Sequence, residues 1–373
     1  MELTALIEAL SDAAAYRHPA AKVEVRHTHI SVVFLAGRYA YKVKKPVNLG
    51  FLDFSTLDRR RHFCGEEVRL NRRLAPRVYL GVVPLTRTAT GVQVEGRGEA
   101  VEWAVKMKRL PEEATLQKRL QRGQLEAGSL RVLARKVAPF HAQDEAGAHI
   151  SAFGRFEVVA RNARENLDQV APQVGTTLSQ AVFDRLRGLT EEALVSLRPL
   201  IESRAAQGVP RDTHGDLHLD HVYLFPDKTP PADLVIIDCI EFNERFRFAD
   251  PVSDMAFLVM DLRFHGRPDL ARQFSDEYFQ ASGDEEGRAL LPFYVAYRAA
   301  VRGKVEGFEL LEQEIPQAER SAALRAKMDG THLCRMLVPG RKAPFRGEAR
   351  FGARLPVACL TSCSSFFSHE GVS

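Results

Sequence analysis

The chain has 373 residues, and a hydrophobic content of 45% is enough to bury the cores of two lobes. The formal net charge of +4 is small and the basic residues are interspersed with acids, so we expect no nucleic-acid partner. Five dispersed cysteines without a CxxC pair argue against a structural zinc site or a disulfide framework. An acidic, amphipathic N-terminus and the lack of a run of about 18 apolar residues predict a cytoplasmic protein that neither spans a membrane nor is secreted.

The first 110 residues are predicted to form mostly antiparallel sheet. Residues 3–14 have the pattern of a short helix, and five later segments have strand-like patterns separated by glycine-containing turns. These segments are HISVVFLAG, RYAYKVKK, RVYLGVVPLTRT, GVQVEG and EAVEWAVKMKRL. One predicted helix, FSTLDRRRHFCGEEVRLNRRLAP, interrupts the sheet, and Pro76 ends it.

Helical spacing dominates after residue 110. The predicted helices are SLRVLARKVAPFHAQ, TEEALVSLRPLIESRAAQ, PVSDMAFLVMDLRFH, PDLARQFSDEYFQAS and ALLPFYVAYRAAVRGKVEGFELLEQ. Two short apolar strands, HVYLF and DLVIIDCI, lie between the second and the third helix. We therefore predict an α+β fold with a small β lobe at residues 1–110, a larger helical lobe at residues 111–338 and a ligand cleft between them. Residues 339–373 lack a sustained period and are predicted to form an irregular tail.

Charge is distributed unevenly along the chain. Residues 38–77 contain eleven Lys and Arg residues, whereas residues 212–261 contain eleven carboxylates against three basic residues. This division suits an anionic ligand that is held together with a divalent cation. Solvated helix faces would account for most of the same charges.

The segment THGDLHLDHVYLF raises two hypotheses. The spacing D-x-H-x-D-H at residues 216–221 resembles the H-x-H-x-D-H signature of dinuclear zinc hydrolases, and alternate residues of an extended segment can face one metal. Such a site needs further separated His ligands downstream. After His221 the chain has only His265 before His332, and neither lies in a convincing loop after a strand.

The second hypothesis is phosphoryl transfer. This chemistry needs a cation on the donor phosphates, a carboxylate to hold that cation, a carboxylate to orient the attacking hydroxyl and a carboxylate for Mg²⁺. Lys42 lies in the strand YAYKVKK, and Glu67 faces inward on the predicted helix within the sheet region. Asp216 lies in HGDLH, between a helix and a strand, and Asp238 ends the apolar strand LVII. The four residues occur in the order that the chemistry expects.

Several motifs resemble a known family. Through YAYKVKK, EEVRLNRRL, WAVKMKRLP, HGDLHLDHVYL, VIID and DPVSDMAFL, the chain resembles the aminoglycoside phosphotransferase branch of the protein-kinase-like superfamily over residues 28–310. It is similar, more narrowly, to an uncharacterised bacterial group whose members often carry a P-loop kinase domain after this one. The resemblance implies a bilobal protein-kinase-like fold, ATP as co-substrate, Mg²⁺ or Mn²⁺, and a small-molecule acceptor.

The resemblance implies a nucleotide site at the junction of the lobes. Lys42 would pair with the donor phosphates and with Glu67. Lys44 lies on the same side of its strand and is an alternative to Lys42, and Glu66 is an alternative to Glu67. The hinge that contacts adenine would run from Met107 to Leu110 and include Lys108.

The resemblance also implies catalytic roles. Asp216 would be the catalytic base, His214 would brace its loop, Asp238 would bind Mg²⁺, and Asp254 would hold the loop through hydrogen bonds. Family members usually have Asn five residues after the catalytic Asp, and here that residue is His221. Neutral imidazole binds Mn²⁺ or Zn²⁺ more readily than Mg²⁺, so either the metal preference has changed or His221 does not bind metal.

Other stretches have no role in the general scheme. VVFLAGRYAY has a single glycine, Gly37, in place of a glycine-rich phosphate loop, which predicts a short nucleotide cover. In GFLDFSTLDRRR, the apolar residues could brace the following helix, or Asp53 and residues 59–61 could contact an anionic group. Four polar residues after Asp238 stand where an acceptor would approach: Glu241, Asn243, Glu244 and Arg245.

We therefore expect an ATP-dependent phosphotransferase, with GTP as an alternative donor, that acts on a hydroxyl of a small molecule such as a sugar or an amino alcohol. One alternative is a nucleotide-binding pseudokinase without turnover, which His221 and the short hairpin favour. A metal-dependent hydrolase is another. The aperiodic tail, in the place of the P-loop kinase domain of longer relatives, also admits a truncated or frameshifted product of little activity.

Overall fold

The computed structural model of the chain describes residues 1–89, 91–175, 179–230 and 232–309. The predicted tail at residues 339–373 lies outside these residues. The predicted two-lobed α+β fold is confirmed, because an antiparallel sheet with two helices comes first and a mostly helical region follows.

The N-terminal region is built on one sheet. Its strands are β1 (Val23–His27), β2 (Ser31–Ala36), β3 (Tyr39–Lys44), β4 (Tyr79–Thr88), β5 (Gly91–Val94) and β6 (Ala100–Lys108). They lie in the order β1-β2-β3-β6-β4-β5, and neighbouring strands are antiparallel. Sequence analysis missed β1, in which only Val23 and Val25 alternate with polar residues and no side chain is fully buried.

Two helices cover opposite faces of this sheet. Helix α1 (Leu3–Ser11) packs with Tyr41 and Val43 of β3, whereas α2 (Leu57–Asn71) packs with Ala40. Because successive side chains of a strand point to opposite faces, Lys42 and Lys44 share the face of Ala40 and point toward α2. The alternation of β3 therefore brings both lysines to the side of the sheet where α2 lies.

The second region is mostly helical. Its helices are α3 (Leu116–Gln121), α4 (Ala127–Gln143), α5 (Ala148–Phe153), α6 (Phe156–Val170), α7 (Gln180–Ala206), α8 (Glu244–Arg247), α9 (Pro251–Phe264), α10 (Pro268–Ser282) and α11 (Leu291–Glu309). Four short strands form two antiparallel pairs: β7 (Arg211–Asp212) with β10 (Phe248–Ala249), and β8 (Val222–Leu224) with β9 (Leu234–Ile236).

Helices α5 and α6 were not predicted, and α7 begins ten residues before its predicted start at residue 190. In α6, buried Ala160, Ala163, Leu167 and Val170 recur every three or four residues, and this spacing is the signal that could have identified the helix. None of the helices in the described part of the chain combines the length and the apolar character needed to cross a membrane.

Helix α9 lies at the centre of the helical core. Pro251 occupies its first turn, and the Asp250 carboxylate caps it by accepting the Val252 N–H at 2.9 Å. Its residues from 251 to 262 are all buried, and it packs against α10 and α11. Two carboxylates, Asp254 and Asp261, lie seven residues apart on this apolar helix, which places them two turns apart on one face.

Candidate active site

Two lysines of β3 meet three carboxylates between the sheet and the helical region. Lys42 Nζ lies 3.1 Å from Glu67 Oε1 and 2.5 Å from Asp238 Oδ1. Lys44 Nζ lies 2.8 Å from Glu67 Oε2 and also contacts the Glu241 carboxylate. Lys42 and Lys44, which sequence analysis treated as alternatives, are therefore joined through one glutamate.

The competing glutamate, Glu66, points elsewhere. Its carboxylate pairs with Arg69 on the outer surface of α2, at 2.7 Å. Glu67 is fully buried, and the carbonyl oxygen of its backbone accepts a hydrogen bond of 2.9 Å from Asn71 Nδ2. The geometry thus brings Glu67, and not Glu66, to the lysines.

The charges in this network stabilise one another. Burial disfavours the ammonium form of Lys42, but Asp238 and Glu67 outweigh that effect, so the pKa of Lys42 lies well above its ordinary value. Burial disfavours the carboxylate of Asp238, yet Lys42 and His221 hold its pKa well below the usual range. Two ammonium groups thus face three carboxylates, and the excess of negative charge suits a bound cation.

The loop that contains Asp216 is held by Asp254 of α9. The buried Asp254 carboxylate accepts the backbone N–H groups of His214, at 3.1 Å, and Gly215, at 2.8 Å. His141 Nε2 lies 3.0 Å from the same carboxylate, and His141 Nδ1 lies 2.8 Å from the Tyr278 hydroxyl. Burial would raise the pKa of Asp254, but the hydrogen bond and charge of His141 lower it.

Gly215 is required by the backbone at this point. Its φ is +85°, a region that L side chains rarely adopt. A Cβ atom there would lie 2.9 Å from the carbonyl oxygen of Phe246, which belongs to the backbone and cannot turn away. The glycine therefore allows the Asp216 loop to pack directly on the segment of α8.

His214 connects the loop to the end of β9. Its Nε2 lies 2.9 Å from the Ile237 carbonyl oxygen, which can only accept, so Nε2 carries the hydrogen. Its Nδ1 then accepts the N–H of Asp216 at 3.3 Å. Burial lowers the pKa of His214 to about 4, which keeps the ring neutral. These contacts suit the bracing role that the resemblance implied.

Asp216 lies between two imidazole rings. Its Oδ2 atom lies 3.4 Å from His218 Nε2 and 3.6 Å from His221 Nδ1, and its side chain is 35% exposed. Burial disfavours the carboxylate, but the charge and hydrogen bond of His218 outweigh it and lower the pKa of Asp216 well below its ordinary value. Asp216, His218 and His221 also have ligand atoms within 4.8 Å of one another, a spacing that could hold a metal ion.

His221 lies between Asp216 and Asp238. Its Nδ1 is 2.9 Å from the backbone oxygen of Asp216, and its Nε2 is 3.6 Å from Asp238 Oδ2. Burial lowers the pKa of His221. The structure thus places both predicted metal ligands, His221 and Asp238, at one point of the cleft.

Asp238 has an unusual backbone. Its φ is +66°, a value that few non-glycine residues adopt, and its N–H donates to the Tyr79 hydroxyl at 3.1 Å. The next N–H, of Cys239, donates to Asn71 Oδ1 at 2.9 Å. These bonds turn the Asp238 side chain toward the cleft, where it is 39% exposed.

Apolar side chains lie beside this charged network at the predicted hinge. Met107 and Lys108 end β6, and Met107 is paired with Ala40 across the strands. An apolar cluster joins the sheet to the segment of β9, and we call it the interlobe cluster. Its members include Val33, Leu35, Ala40, Met107, Leu110, Val235 and Ile237.

The turn at Gly37 connects β2 to β3 at one end of the hairpin. The carbonyl of the adjacent Arg38 accepts the N–H of Arg109, so this turn is at the hinge end of β3. The opposite end of the strand carries Lys44, which pairs with Ser31, at the turn between β1 and β2. Residues 28–30 therefore lie at the Lys44 end of the strand and Gly37 at the hinge end, and the short nucleotide cover stays a prediction.

The arginines of GFLDFSTLDRRR are occupied by local partners. Arg59 pairs with Asp53, Arg60 pairs with Glu102 at 2.8 Å, and the Arg61 guanidinium lies 4.4 Å from the centre of the Trp103 ring. These contacts differ from the expectation that Asp53 and residues 59–61 contact an anionic group in the cleft.

The apolar part of the same segment joins the two regions. Phe54 is fully buried, and the centre of its ring lies 4.9 Å from Lys44 Nζ. Phe51 contacts the rings of Phe242 and Phe246, with centroids 6.2 and 6.1 Å away, and its carbonyl accepts from Asn243 Nδ2 at 2.8 Å. The segment therefore joins the two regions through the contact of Phe51 with residues 242–246. We call this contact the interlobe clasp.

The four polar residues after Asp238 do not gather at one acceptor site. Glu241 joins the lysine network, and Asn243 joins the interlobe clasp. The remaining two have partners in α5 and α6, since Glu244 lies 3.1 Å from His149 and Arg245 contacts Asn162 at 2.6 Å.

Sequence analysis missed residues that support the site from behind. Asp261 accepts the N–H of Leu219 at 3.0 Å, and Asn71 contacts both Glu67 and the backbone after Asp238. A signal was available in each case. Asp261 follows Asp254 by seven residues on a helix that is otherwise apolar, and Asn71 follows Glu67 by four residues.

No family model matches the chain. Uncharacterized proteins of Mycobacterium bovis and Mycobacterium tuberculosis are each 35% identical to it over 311 residues, which are 83% of this chain and 60% of theirs. The chain thus spans about 60% of the length of these curated relatives.

Similar solved structures are kinases by name. A choline/ethanolamine kinase family protein from Mesorhizobium loti aligns with a TM-score of 0.45 and 13% identity, covering 89% of this chain and 98% of that chain. Plasmodium vivax ethanolamine kinase aligns with a TM-score of 0.47 and 10% identity, covering 85% and 82%. A glucosamine kinase in complex with glucosamine, ADP and inorganic phosphate aligns with a TM-score of 0.41 and 17% identity, covering 87% and 80%.

The hydrogen bonds of Asp254 lead to a prediction about stability. We expect Asp254→Asn to lower the free energy of unfolding by about 2 to 4 kcal/mol. The new amide NH₂ must then face a backbone N–H, and since both groups are donors, no hydrogen bond can form between them. Urea denaturation measures this change. Asp227→Asn, at an exposed loop position, is the control and should change stability by less than about 0.5 kcal/mol. Equal stability of the two variants would contradict the role of Asp254.

Proposed function

We propose that the chain is an ATP-dependent phosphotransferase that moves the γ-phosphate to a hydroxyl of a small molecule. The main support for this proposal is that Lys42, Glu67, Asp238 and Asp216 form one connected set of contacts. Lys42 contacts both Glu67 and Asp238, and His221 links Asp238 to Asp216. This set supplies the cation, the anchoring carboxylate, the metal ligand and the hydroxyl-orienting carboxylate of phosphoryl transfer.

The neighbouring surfaces suit a nucleotide. The interlobe cluster is apolar and contains side chains from the sheet, from the hinge and from β9, which suits a planar base. Lys42 pairs with Val33 of β2 in the strand register, so its ammonium lies next to this cluster. We propose that the base packs on the cluster near Met107 and Leu110 while the phosphates reach Lys42.

Lys42 and Glu67 would act together on the donor phosphates. Glu67 is held by Lys44 and by α2, so it keeps the Lys42 ammonium in place when phosphate oxygens take over the contact that Asp238 makes here. His221 and Asp238 fit a divalent cation, because a ring nitrogen and a carboxylate oxygen lie 3.6 Å apart. Such a cation supplies charge neutralisation on the phosphates.

Asp216 would receive the acceptor. Its lowered pKa keeps it a carboxylate at neutral pH, so it can accept a hydrogen bond from a hydroxyl and orient that oxygen toward the phosphate. The side chains of Asp216 and Asp238 are both partly exposed, and His221 lies between them. Their negative charge favours a hydroxylated or cationic acceptor, such as a sugar or an amino alcohol, over an anionic one.

Thermal stabilisation by nucleotide tests this proposal. We expect ATP together with Mg²⁺, Mn²⁺ or Zn²⁺ to raise the melting temperature, and we expect Asp238→Ala to abolish most of the shift because a ligand of the cation is lost. Parallel measurements with GTP compare the two donors. A lack of any nucleotide-dependent shift under all three metals would falsify the proposal.

The pseudokinase alternative is distinguished by turnover. If ATP stabilises the protein but no hydrolysis or transfer is detected over long incubation, the chain binds nucleotide without catalysis. A metal-dependent hydrolase would instead bind Zn²⁺ tightly and show no effect of nucleotide.

A further inference from the structure

His221 presents one ring nitrogen to the cleft. Its Nδ1 lies 2.9 Å from the backbone oxygen of Asp216. A carbonyl oxygen can only accept, so Nδ1 carries the hydrogen and Nε2 of the neutral ring keeps a free lone pair. That lone pair is on the nitrogen that lies 3.6 Å from Asp238 Oδ2.

This arrangement matches a metal-binding histidine. Two ligand atoms bound at ordinary distances to one divalent ion lie about 3.0 to 3.5 Å from each other, so His221 and Asp238 need to approach by only a few tenths of an ångström. Metal-binding histidines usually donate their second N–H to a carbonyl or a carboxylate, as His221 does to Asp216. The tautomer is already in place, and the spacing requires only a small side-chain adjustment.

The ligand type determines which cation is preferred. Mg²⁺ favours a shell made entirely of oxygen atoms, whereas imidazole suits first-row transition metals and Zn²⁺. We infer that the His221 and Asp238 site binds Mn²⁺ or Zn²⁺ in preference to Mg²⁺. The catalytic importance of this cation rests on the proposed phosphotransferase function. Cation binding itself can be measured without that function.

A second location for the ion is available but fits less well. Asp216 Oδ2 lies 3.4 Å from His218 Nε2 and 3.6 Å from His221 Nδ1, so these three residues could surround an ion. In that arrangement Nδ1 of His221 would have to give up its hydrogen and its bond to the Asp216 carbonyl. The geometry therefore favours the Asp238 side of the ring.

Substitution of His221 by Asn tests the inference directly. Asparagine removes the Nε2 ligand and offers only an amide oxygen on a shorter side chain, while its NH₂ group can still donate to the Asp216 carbonyl in place of Nδ1. We expect the wild-type protein to bind Mn²⁺ and Zn²⁺ about tenfold or more tightly than Mg²⁺, and we expect H221N to lose most of that preference. Mn²⁺ binding is measured by electron paramagnetic resonance without nucleotide, and Zn²⁺ and Mg²⁺ are added as competitors.

His218→Asn is the matched control, because it changes the neighbouring imidazole of the same loop. It should leave the order of cation affinities unchanged. An identical order in the wild type and H221N would overturn the inference, and so would an equal change in H218N, which would place the ion among Asp216, His218 and His221.

Failure of the inference is separate from failure of the proposed function. If nucleotide stabilises H221N with Mg²⁺ but the wild type shows no preference for Mn²⁺ or Zn²⁺, the phosphotransferase proposal stands and the inference is wrong. If nucleotide stabilises neither protein with any metal, the proposed function is wrong, and the cation measurement without nucleotide still reports on His221.

Discussion

Asp216→Asn is expected to lower the rate of phosphate transfer by about 10²- to 10⁴-fold, the usual loss when a positioned base is removed. Asparagine keeps the size of the side chain but cannot take a proton, and it removes the negative charge that lies 3.4 Å from His218. ATP affinity should change little, because Lys42 and the hinge make no contact with Asp216 in the structure. Slow ATP hydrolysis measures the rate when the acceptor is unknown, and thermal stabilisation by ATP measures binding.

Asp220→Asn is the matched control for this experiment. Asp220 lies in the same loop, and its side chain is 39% exposed compared with 35% for Asp216. We expect Asp220→Asn to retain most of the activity. His221 connects Asp216, and not Asp220, to the proposed cation ligand Asp238. An unchanged rate in Asp216→Asn, or an equal loss in both variants, would remove Asp216 from the role of base.

The second large effect is expected from Lys44, which is fully buried between Glu67 and Glu241. Lys44→Met leaves Glu241 buried without a cation and leaves Glu67 with Lys42 alone. Breaking a buried ion pair in this way should cost about 3 to 5 kcal/mol of unfolding free energy. Denaturant unfolding measures the loss, and Lys22→Met, at an exposed position, is the control.

A double variant separates the charge effect from lost packing. Lys44→Met combined with Glu241→Gln removes the uncompensated carboxylate, so the double variant should be more stable than Lys44→Met alone. If the two substitutions simply add, Lys44 and Glu241 are not coupled, and the contact between them contributes nothing specific to the fold.

The central residues of the site could be predicted from the sequence because each one follows a local pattern. Lys42 lies in an alternating strand, Glu67 in a helix, and Asp238 at the end of an apolar strand, and the structure brings these three into contact. Asp216 follows a glycine that the backbone requires, and this motif is visible without any knowledge of tertiary structure. The roles of these residues stay predictions until the experiments above are done.

The partners of these residues could not be predicted in the same way. Lys44 and Glu241 are 197 residues apart in the sequence, and His141 and Asp254 are 113 residues apart. No local periodicity joins such pairs, since they meet only when the sheet and the helices have packed. The position of the Gly37 turn has a related limit, because a glycine in the sequence identifies a turn but not the end of the sheet at which that turn lies.

The way in which α9 holds the Asp216 loop has a consequence for how such a site can change. Asp254 and Asp261 bind backbone N–H groups of His214, Gly215 and Leu219, so these three bonds do not depend on the side chains of Asp216 and Asp220. A substitution at either of these two positions can therefore alter chemistry while the bonds that set the path of the chain stay in place. In evolution, or in a directed search for new activities, metal ligands and catalytic bases could then be exchanged one at a time while the backbone keeps its conformation.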